Sequence, residues 1–191
     1  MAKIHAGATL TPGFRDFVPR WVARQPWYRG AGVPALTPVG FFRFEDPAGQ
    51  VGVETHLLAD GPTLYQVPMT YRGAPAADVP ADALIATAEH SVLGTRWIHD
   101  GEADPVWRDL VLDLVRTGGA SAPAGGPGTG AARARGERLA PGPLNHVHLV
   151  RVPTPGPVEH PPGTTGLVLG TWHPGGPGGE AVDGCLAAVS R

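Results

Sequence analysis

The sequence predicts an α+β protein built on an antiparallel sheet with helices packed against it. Three β-prone segments, 39–45, 51–57 and 65–71, follow one another and are separated by short polar turns at 46–49 and 60–62. Turns this short join antiparallel strands, because a parallel pair needs a connection of a dozen residues or more. Apolar residues at helical spacing before and after these strands complete the prediction.

The N-terminal helix is predicted from the apolar pattern of residues 12–24. Large apolar residues recur there at helical spacing, namely Phe14, Phe17, Val18, Trp21 and Val22. Pro19 predicts a late start or a kink, and Gln25-Pro26 predicts the end of the helix.

Alternation along the second and third β-prone segments predicts the buried side of the sheet. In each segment the residues of one parity share a face: Val51, Val53, Thr55 and Leu57 in one, Tyr65, Val67, Met69 and Tyr71 in the other. We expect one face of the sheet to be packed and the other to be wetter. The N-terminal helix is the natural cover for the packed face.

Two further helices are predicted after the strands. Residues 82–93 carry Leu84, Ile85, Ala88 and Val92 at helical spacing, and Gly94 would end that helix. Residues 104–117 carry a second apolar stripe. There Asp104 is suited to the N-cap, Pro105 to the first helical position, and Gly118 to the end.

The chain is expected to be a single domain with three parts. Residues 1–118 would hold the first helix, the meander and the two further helices. Residues 119–145 are mostly Gly, Ala, Pro, Ser and Arg and are predicted to be a flexible loop. Residues 146–191 contain three strand candidates, which would most simply extend the same sheet because each is too short to form a core alone.

Composition excludes several functional classes. A net charge of -2 argues against a nucleic-acid partner and against a polybasic membrane patch. No apolar run approaches the length of a signal sequence or a membrane span. The single cysteine, Cys185, cannot form an internal disulfide, which fits a cytoplasmic protein.

Candidate catalytic and metal-binding residues are few. His146 and His148 alternate on a strand and could share a metal ion, but a third ligand is not obvious, so neither a metal nor a cofactor is expected. The sequence contains no phosphate loop, no nucleophile elbow and no zinc-protease motif. One hypothesis remains for chemistry: an uncharacterised enzyme using His90, His99, Asp100 or Glu102.

Aromatic residues offer the more plausible binding site. Trp27 and Tyr28 lie in a predicted turn beside Arg29, whereas Trp21 and Trp107 lie on the apolar stripes of helices. Exposed Trp and Tyr rings are frequent platforms for sugars and for protein partners. We therefore regard Trp27, Tyr28 and Arg29 as candidate binding residues, with His90, His99 and Asp100 as further candidates.

Several short motifs resemble the N-terminal cap of bacterial maltokinases and related aminosugar kinases. They include Trp27-Tyr28-Arg29-Gly30, Phe41–Phe44 and the stretch from Leu64 to Pro68, in which Gln66 and Pro68 form a recurring pattern. The Glu89–Gly94 stretch and Asp100 resemble cap-containing proteins often labelled as glucan-branching proteins. A branching enzyme is a large barrel glycosidase, and its paired carboxylates have no room in this chain.

The resemblance implies a cystatin-like fold in which a helix lies across a curved antiparallel sheet. The cap carries no catalytic residue of the kinase, so it implies a non-catalytic module. The leading hypothesis is binding to a partner enzyme of trehalose, glycogen or aminosugar metabolism, such as a sugar kinase. The alternative is a module that binds a sugar or a sugar phosphate at Trp27, Tyr28 and nearby arginines.

Overall fold

The computed structural model describes residues 7–124, 130–157, 160–176 and 178–191. Two α-helices lie in these ranges, α1 (Phe14–Val22) and α2 (Pro105–Thr117). The strands are β1 (Leu10–Thr11), β2 (Thr37–Phe44), β3 (Gly52–Asp60), β4 (Thr63–Arg72), β5 (Leu84–His90), β6 (Gly94–Asp100), β7 (Ala122–Ala124), β8 (Gly130–Ala131), β9 (Arg133–Arg138), β10 (His146–Leu149), β11 (Thr164–Trp172) and β12 (Val182–Ser190).

The strands form a curled main sheet and a second, smaller sheet. In the main sheet the order is β1-β5-β6-β4-β3-β2-β7, and β8 makes a single parallel bridge to β2. The predicted meander is confirmed, since β2, β3 and β4 pair antiparallel in sequence order. The α+β class is confirmed as well.

Both faces of the main sheet are packed along β3 and β4, which corrects the expectation of one wet face there. Paired residues of neighbouring strands lie on the same side, and Leu57 pairs with Gln66 rather than with Tyr65. The apolar rows of β3 and β4 therefore point to opposite sides of the sheet. Gln66 and Thr70, expected on the wet face, are both fully buried.

Helix α1 covers one of these faces, as predicted. Its buried residues, Phe17, Val18, Trp21 and Val22, pack against Leu58, Val67, Met69, Ile85, Ala88 and Ile98 of the sheet. The helix spans nine residues, and Pro19 lies inside it. The carboxylate of Asp16 accepts a hydrogen bond from the Gly13 backbone N–H at the start of the helix.

The second sheet and α2 cover the other face. From the sequence, the C-terminal strands were expected to extend the main sheet, and this was wrong. They form a separate antiparallel sheet in the order β10-β12-β11-β9. The reason lies in the apolar side of β2 and β3, where Phe42 and Leu57 need a cover. Trp107 of α2 and Leu186 of β12 belong to the same buried cluster and provide that cover.

Residues 82–93 hold strand β5 and the turn of a hairpin with β6 instead of the predicted helix. A register shift between Leu84 and Ala86 interrupts the period-2 pattern of β5, so that Ile85 and Ala88, three residues apart, are both buried. This spacing mimics a helical stripe. Gly94, with a φ of 70°, follows the turn that joins β5 to β6.

The predicted helix over 104–117 is confirmed in position and in its caps. Asp104 accepts a hydrogen bond from the Val106 N–H at 2.9 Å, Pro105 is the first helical residue, and Gly118 ends the helix in the left-handed conformation. No helix in the described ranges is long and apolar enough to cross a membrane.

The predicted loop over 119–145 contains strands β7, β8 and β9 in its described parts; residues 125–129 lie outside them. The small residues Ala134 and Gly136 of β9 face inward beneath α2. A Cβ atom on Gly136 would overlap the carbonyl oxygen of Leu114. Small residues serve a close helix–strand contact here, and their abundance led to the wrong prediction of a loop over β9.

Candidate functional site

A guanidinium group that the sequence did not single out joins several of the candidate residues. Arg151 lies just after β10, and its side chain is 8% exposed. Its Nη2 atom donates to Asp100 Oδ2 at 2.5 Å and to Glu102 Oε2 at 2.6 Å, and its Nε atom donates to Glu102 Oε2 at 3.0 Å. Two carboxylates therefore hold one buried cation.

The same guanidinium lies over two aromatic rings. Its central carbon is 4.9 Å from the centroid of the Trp27 ring and 5.9 Å from that of Trp21. A cation held over an indole face is attracted by the ring quadrupole, more strongly when both are withdrawn from water. We call the group of Arg151, Asp100, Glu102, Trp21 and Trp27 the arginine clasp.

Strand β4 fixes the backbone on which Arg151 is mounted. The Gln66 N–H donates to the Arg151 carbonyl at 2.9 Å, and Gln66 Nε2 donates to the carbonyls of Val150 at 3.1 Å and Leu186 at 2.8 Å. Because Gln66 is buried, each of these groups would otherwise lack a partner. The clasp therefore connects the first part of the chain to the second sheet.

Asp100 enters the clasp from the end of β6, and Glu102 from the short turn that follows. Burial raises the pKa of Asp100, and the attraction of Arg151 offsets part of that rise. Asp100 Oδ1 also accepts the Glu102 N–H at 3.4 Å, which orders the turn before α2. In this arrangement both carboxylates, Asp100 and Glu102, are bound to Arg151.

A second polar cluster lies on the opposite side of β6. Asp104 has no solvent exposure, and it accepts hydrogen bonds from Thr70 Oγ1 at 2.6 Å and from the Arg72 guanidinium at 2.8 and 2.7 Å. Burial would raise the pKa of Asp104, but these hydrogen bonds and that of the Val106 N–H outweigh it and lower the pKa. The cluster anchors the start of α2 to β4.

His99 lies beside this second cluster and not in the clasp. It is 5% exposed, burial lowers its pKa, and its Nδ1 atom has no partner among the described residues. Successive residues of a strand point to opposite faces, so His99 and Asp100 diverge. The hypothesis of an enzyme that uses both groups together finds no common pocket here.

His90 lies at the far end of the same hairpin. It pairs with Gly94, five residues along β6 from His99, a separation of about 17 Å at the usual rise of a strand. The His90 Nδ1 atom accepts hydrogen bonds from the Val92 and Leu93 N–H groups at 3.1 Å each. In this position the ring caps the turn.

Trp27, Tyr28 and Arg29 form a turn that folds back beside the end of α1. The Trp27 ring lies 5.7 Å from the Trp21 ring and 5.8 Å from the Tyr65 ring, and it remains partly exposed. Tyr28 Oη donates to Asp60 Oδ2 at 3.0 Å, and the Arg29 N–H donates to Tyr65 Oη at 3.2 Å. The Arg29 side chain is exposed.

The remaining candidates for chemistry lie apart from these groups. His146 and His148 are exposed on β10, and His148 Nε2 lies 3.2 Å from Ser190 Oγ. In the described ranges no three histidine, cysteine or acidic side chains gather in a way that could hold a metal ion. Burial raises the pKa of the Cys185 thiol, which lowers its reactivity.

A small cavity lies between the two sheets, but it is far too small for a sugar. Its volume is about 10 Å³, which is at most room for one water molecule, and Phe42, Trp107 and Leu186 are among its lining residues. The indole Nε1 of Trp107 is buried without a partner among the described residues.

Comparison with known proteins identifies the segment that holds most of this site. The family model of the maltokinase N-terminal cap domain matches residues 21–104, fewer than half of the 191 residues. No curated protein matches the chain. Trp21, Trp27, Asp100 and Glu102 lie in the matched segment, whereas Arg151 lies outside it. Residues 21–104 of this chain are therefore similar to the maltokinase N-terminal cap domain, which supports the resemblance that the motifs in the sequence indicated.

Proposed function

We propose that this protein is a non-catalytic cap-like module that acts by binding a partner protein, an enzyme of trehalose, glycogen or aminosugar metabolism such as a sugar kinase. The observation that carries the proposal is the match of residues 21–104 to a domain that stands at the N-terminus of a kinase. A helix laid across a curled sheet is also the arrangement that a cystatin-like cap would have. The proposal places the protein in the cytoplasm.

The use that the chain makes of its charged groups supports a non-catalytic role. Asp100 and Glu102 hold Arg151, and Asp104 holds Arg72 while capping α2. Ion pairs of this kind join elements of the fold, whereas a catalytic acid or base has to meet a substrate. The surfaces available for function are then those that a partner can reach.

A binding panel tests the proposal directly. The purified full-length chain is immobilised, and purified maltokinase, trehalose synthase and glucosamine kinase are passed over it. We expect saturable binding of at least one enzyme, with a 1:1 complex in sedimentation velocity. Absence of binding across the panel would contradict the proposal, as would ATP-dependent phosphorylation of maltose or glucosamine by the chain alone.

The partly exposed Trp27 ring beside the exposed Arg29 supports a second candidate, a sugar or sugar-phosphate ligand. Thermal unfolding in the presence of maltose, trehalose, glucosamine and their phosphates is the measurement. A ligand raises the apparent stability of the state that binds it. Unchanged melting curves at millimolar concentrations would leave partner binding as the only candidate.

A further inference from the structure

Most arginines of the described chain have a partner, but those of α1 and of the turn that follows it do not. Six arginines form ion pairs with carboxylates: Arg43, Arg72, Arg108, Arg116, Arg135 and Arg151. Arg96 and Arg138 donate to backbone carbonyls. The side chains of Arg15, Arg20, Arg24 and Arg29 are exposed and have no partner among the described residues.

Three of these unpaired cations lie in one region of the surface. Arg20 and Arg24 are four residues apart, and the Arg24 N–H donates to the Trp21 carbonyl, three residues before it, so the chain still turns tightly up to that position. The turn that carries Arg29 lies beside the end of α1, because Trp27 contacts Trp21. We call Arg20, Arg24 and Arg29 the arginine face.

Nearby carboxylates are engaged elsewhere. Asp16 is one turn before Arg20, but its carboxylate is turned to the start of the helix, where it accepts from the Gly13 N–H at 2.8 Å. Asp60 accepts from Tyr28 Oη. Like charges four residues apart repel, and the carbonyl end of the helix offsets this only within its last turn. None of the carboxylates in the described ranges forms an ion pair with an arginine of this face.

We propose that the arginine face is the docking surface for an acidic surface of a protein partner. The proposal rests on the proposed function and specifies where the partner binds and what charge it presents. Arginine forms paired hydrogen bonds with carboxylates, and Trp, Tyr and Arg are the residues most enriched at the energetic centres of interfaces. The partly exposed Trp27, between Arg24 and Arg29 in the chain, supplies the apolar contact.

The composition of the face favours a protein over an anionic membrane. Membrane-binding basic segments carry about four to eight clustered cations. The arginine face has three, and the chain has a net charge of -2. A small set of guanidinium groups, each a rigid planar fork of donors, suits a defined arrangement of carboxylates.

Two charge-reversal pairs provide the test. The Arg20→Glu/Arg24→Glu variant reverses the charge of two of the three arginines of the face. The Arg133→Glu/Arg191→Glu variant makes the same charge change at two exposed arginines elsewhere that also lack a partner among the described residues. Binding is measured at low and at physiological salt to poly-L-glutamate, to phosphatidylglycerol vesicles and to any panel enzyme that binds the wild type. Circular dichroism confirms that both variants are folded.

We expect salt-sensitive binding to poly-L-glutamate that weakens at least about tenfold in the Arg20/Arg24 variant and less than about threefold in the control. Equal losses in both variants, no binding to poly-L-glutamate, or binding to vesicles alone would overturn the docking surface. A panel enzyme that binds the Arg20/Arg24 variant as tightly as the wild type would also overturn it, while leaving the proposed function standing. Binding to poly-L-glutamate with the expected pattern, but to no panel enzyme, would support the face and contradict the partner class.

Discussion

We expect the replacement of Arg151 to lower the free energy of unfolding strongly. Replacement by leucine keeps the aliphatic contacts but leaves the buried Asp100 facing Glu102 without a cation. Removing one member of a buried ion pair costs about 3–5 kcal/mol, and the partial exposure of Glu102 lowers the expected loss to about 2–4 kcal/mol. Urea unfolding at neutral pH measures this free energy.

Two further variants make that prediction specific. Arg151→Lys keeps the charge but loses the forked geometry and much of the stacking on Trp27, so we expect an intermediate loss. Arg133→Leu, at an exposed arginine of β9, should change the free energy of unfolding by less than about 0.5 kcal/mol. Equal stability of Arg151→Leu and Arg133→Leu would show that the clasp contributes nothing to the fold.

Because of Asp104, the free energy of unfolding should depend on pH in the acid range. Because its pKa is lower in the folded protein than in the unfolded chain, its stabilising effect is complete above the unfolded value of about 3.9 and is lost as the pH falls through the folded value. Asp104→Asn keeps a side-chain oxygen for the helix cap but removes the charge facing Arg72. At neutral pH we expect it to cost about 3 kcal/mol.

The pH profile separates this charge effect from lost packing. The free energy of unfolding is measured with urea between pH 2 and pH 6. The difference in this free energy between wild type and Asp104→Asn should decrease as the solution becomes more acidic than about pH 4. A gap that stays constant with pH would mean that the charge of Asp104 does not account for its contribution. Thr70→Val, which removes only a neutral donor to the same carboxylate, is the matched comparison.

At the level of an element, strand β9 shows why its small residues led to the prediction of a loop. Its inward positions are occupied by Ala134 and Gly136, and the buried Ala132 comes directly before it; these small residues resemble loop composition in the sequence. Their arrangement lets α2 approach the strand closely. Composition alone does not distinguish a glycine that makes the backbone flexible from one that makes room for a neighbouring helix. For this reason β9 could not be predicted without its partner helix.

Gly136→Ala tests this close approach. The added Cβ atom would overlap the Leu114 carbonyl and lie 2.7 Å from the Val115 nitrogen, so α2 would have to move away from β9. Overpacking of this kind costs about 1–3 kcal/mol. Gly175→Ala is the control, because a Cβ atom there has its nearest neighbour at 3.9 Å. Thermal unfolding in which both variants melt like the wild type would contradict the tight helix–strand contact.

At the scale of the whole molecule, local patterns predicted the meander, α1 and α2 but not how the two faces of the main sheet are covered. The meander, α1 and the caps of α2 follow from spacing and turn residues close together in the chain. The burial of both faces depends on the pairing of Leu57 with Gln66, and one residue of slippage would reverse it. The bulge in β5 similarly turned a strand pattern into a helical one.

The site was predicted in pieces for the same reason. Trp27 and Asp100 were each selected from the sequence, but Arg151, which joins them, is 51 residues beyond Asp100. One signal was present: a lone arginine between Val150 and Val152, at the end of a strand-like run, where a buried charge would need a partner. Its partners come from β6 and α1, and no local pattern identifies them.

Because one apolar cluster combines both halves of the chain, the cap segment should depend on the residues that follow it. Phe42 and Leu57 of the main sheet share this cluster with Val168 and Leu186 of the second sheet. A chain ending at residue 118 would expose that face, so we expect dye binding to apolar surface and loss of a cooperative melting transition, whereas the full chain melts in one step. An equally sharp melting transition of the shortened chain would contradict this prediction. It would mean that the cap segment folds without the second sheet and that the two sheets do not share one core.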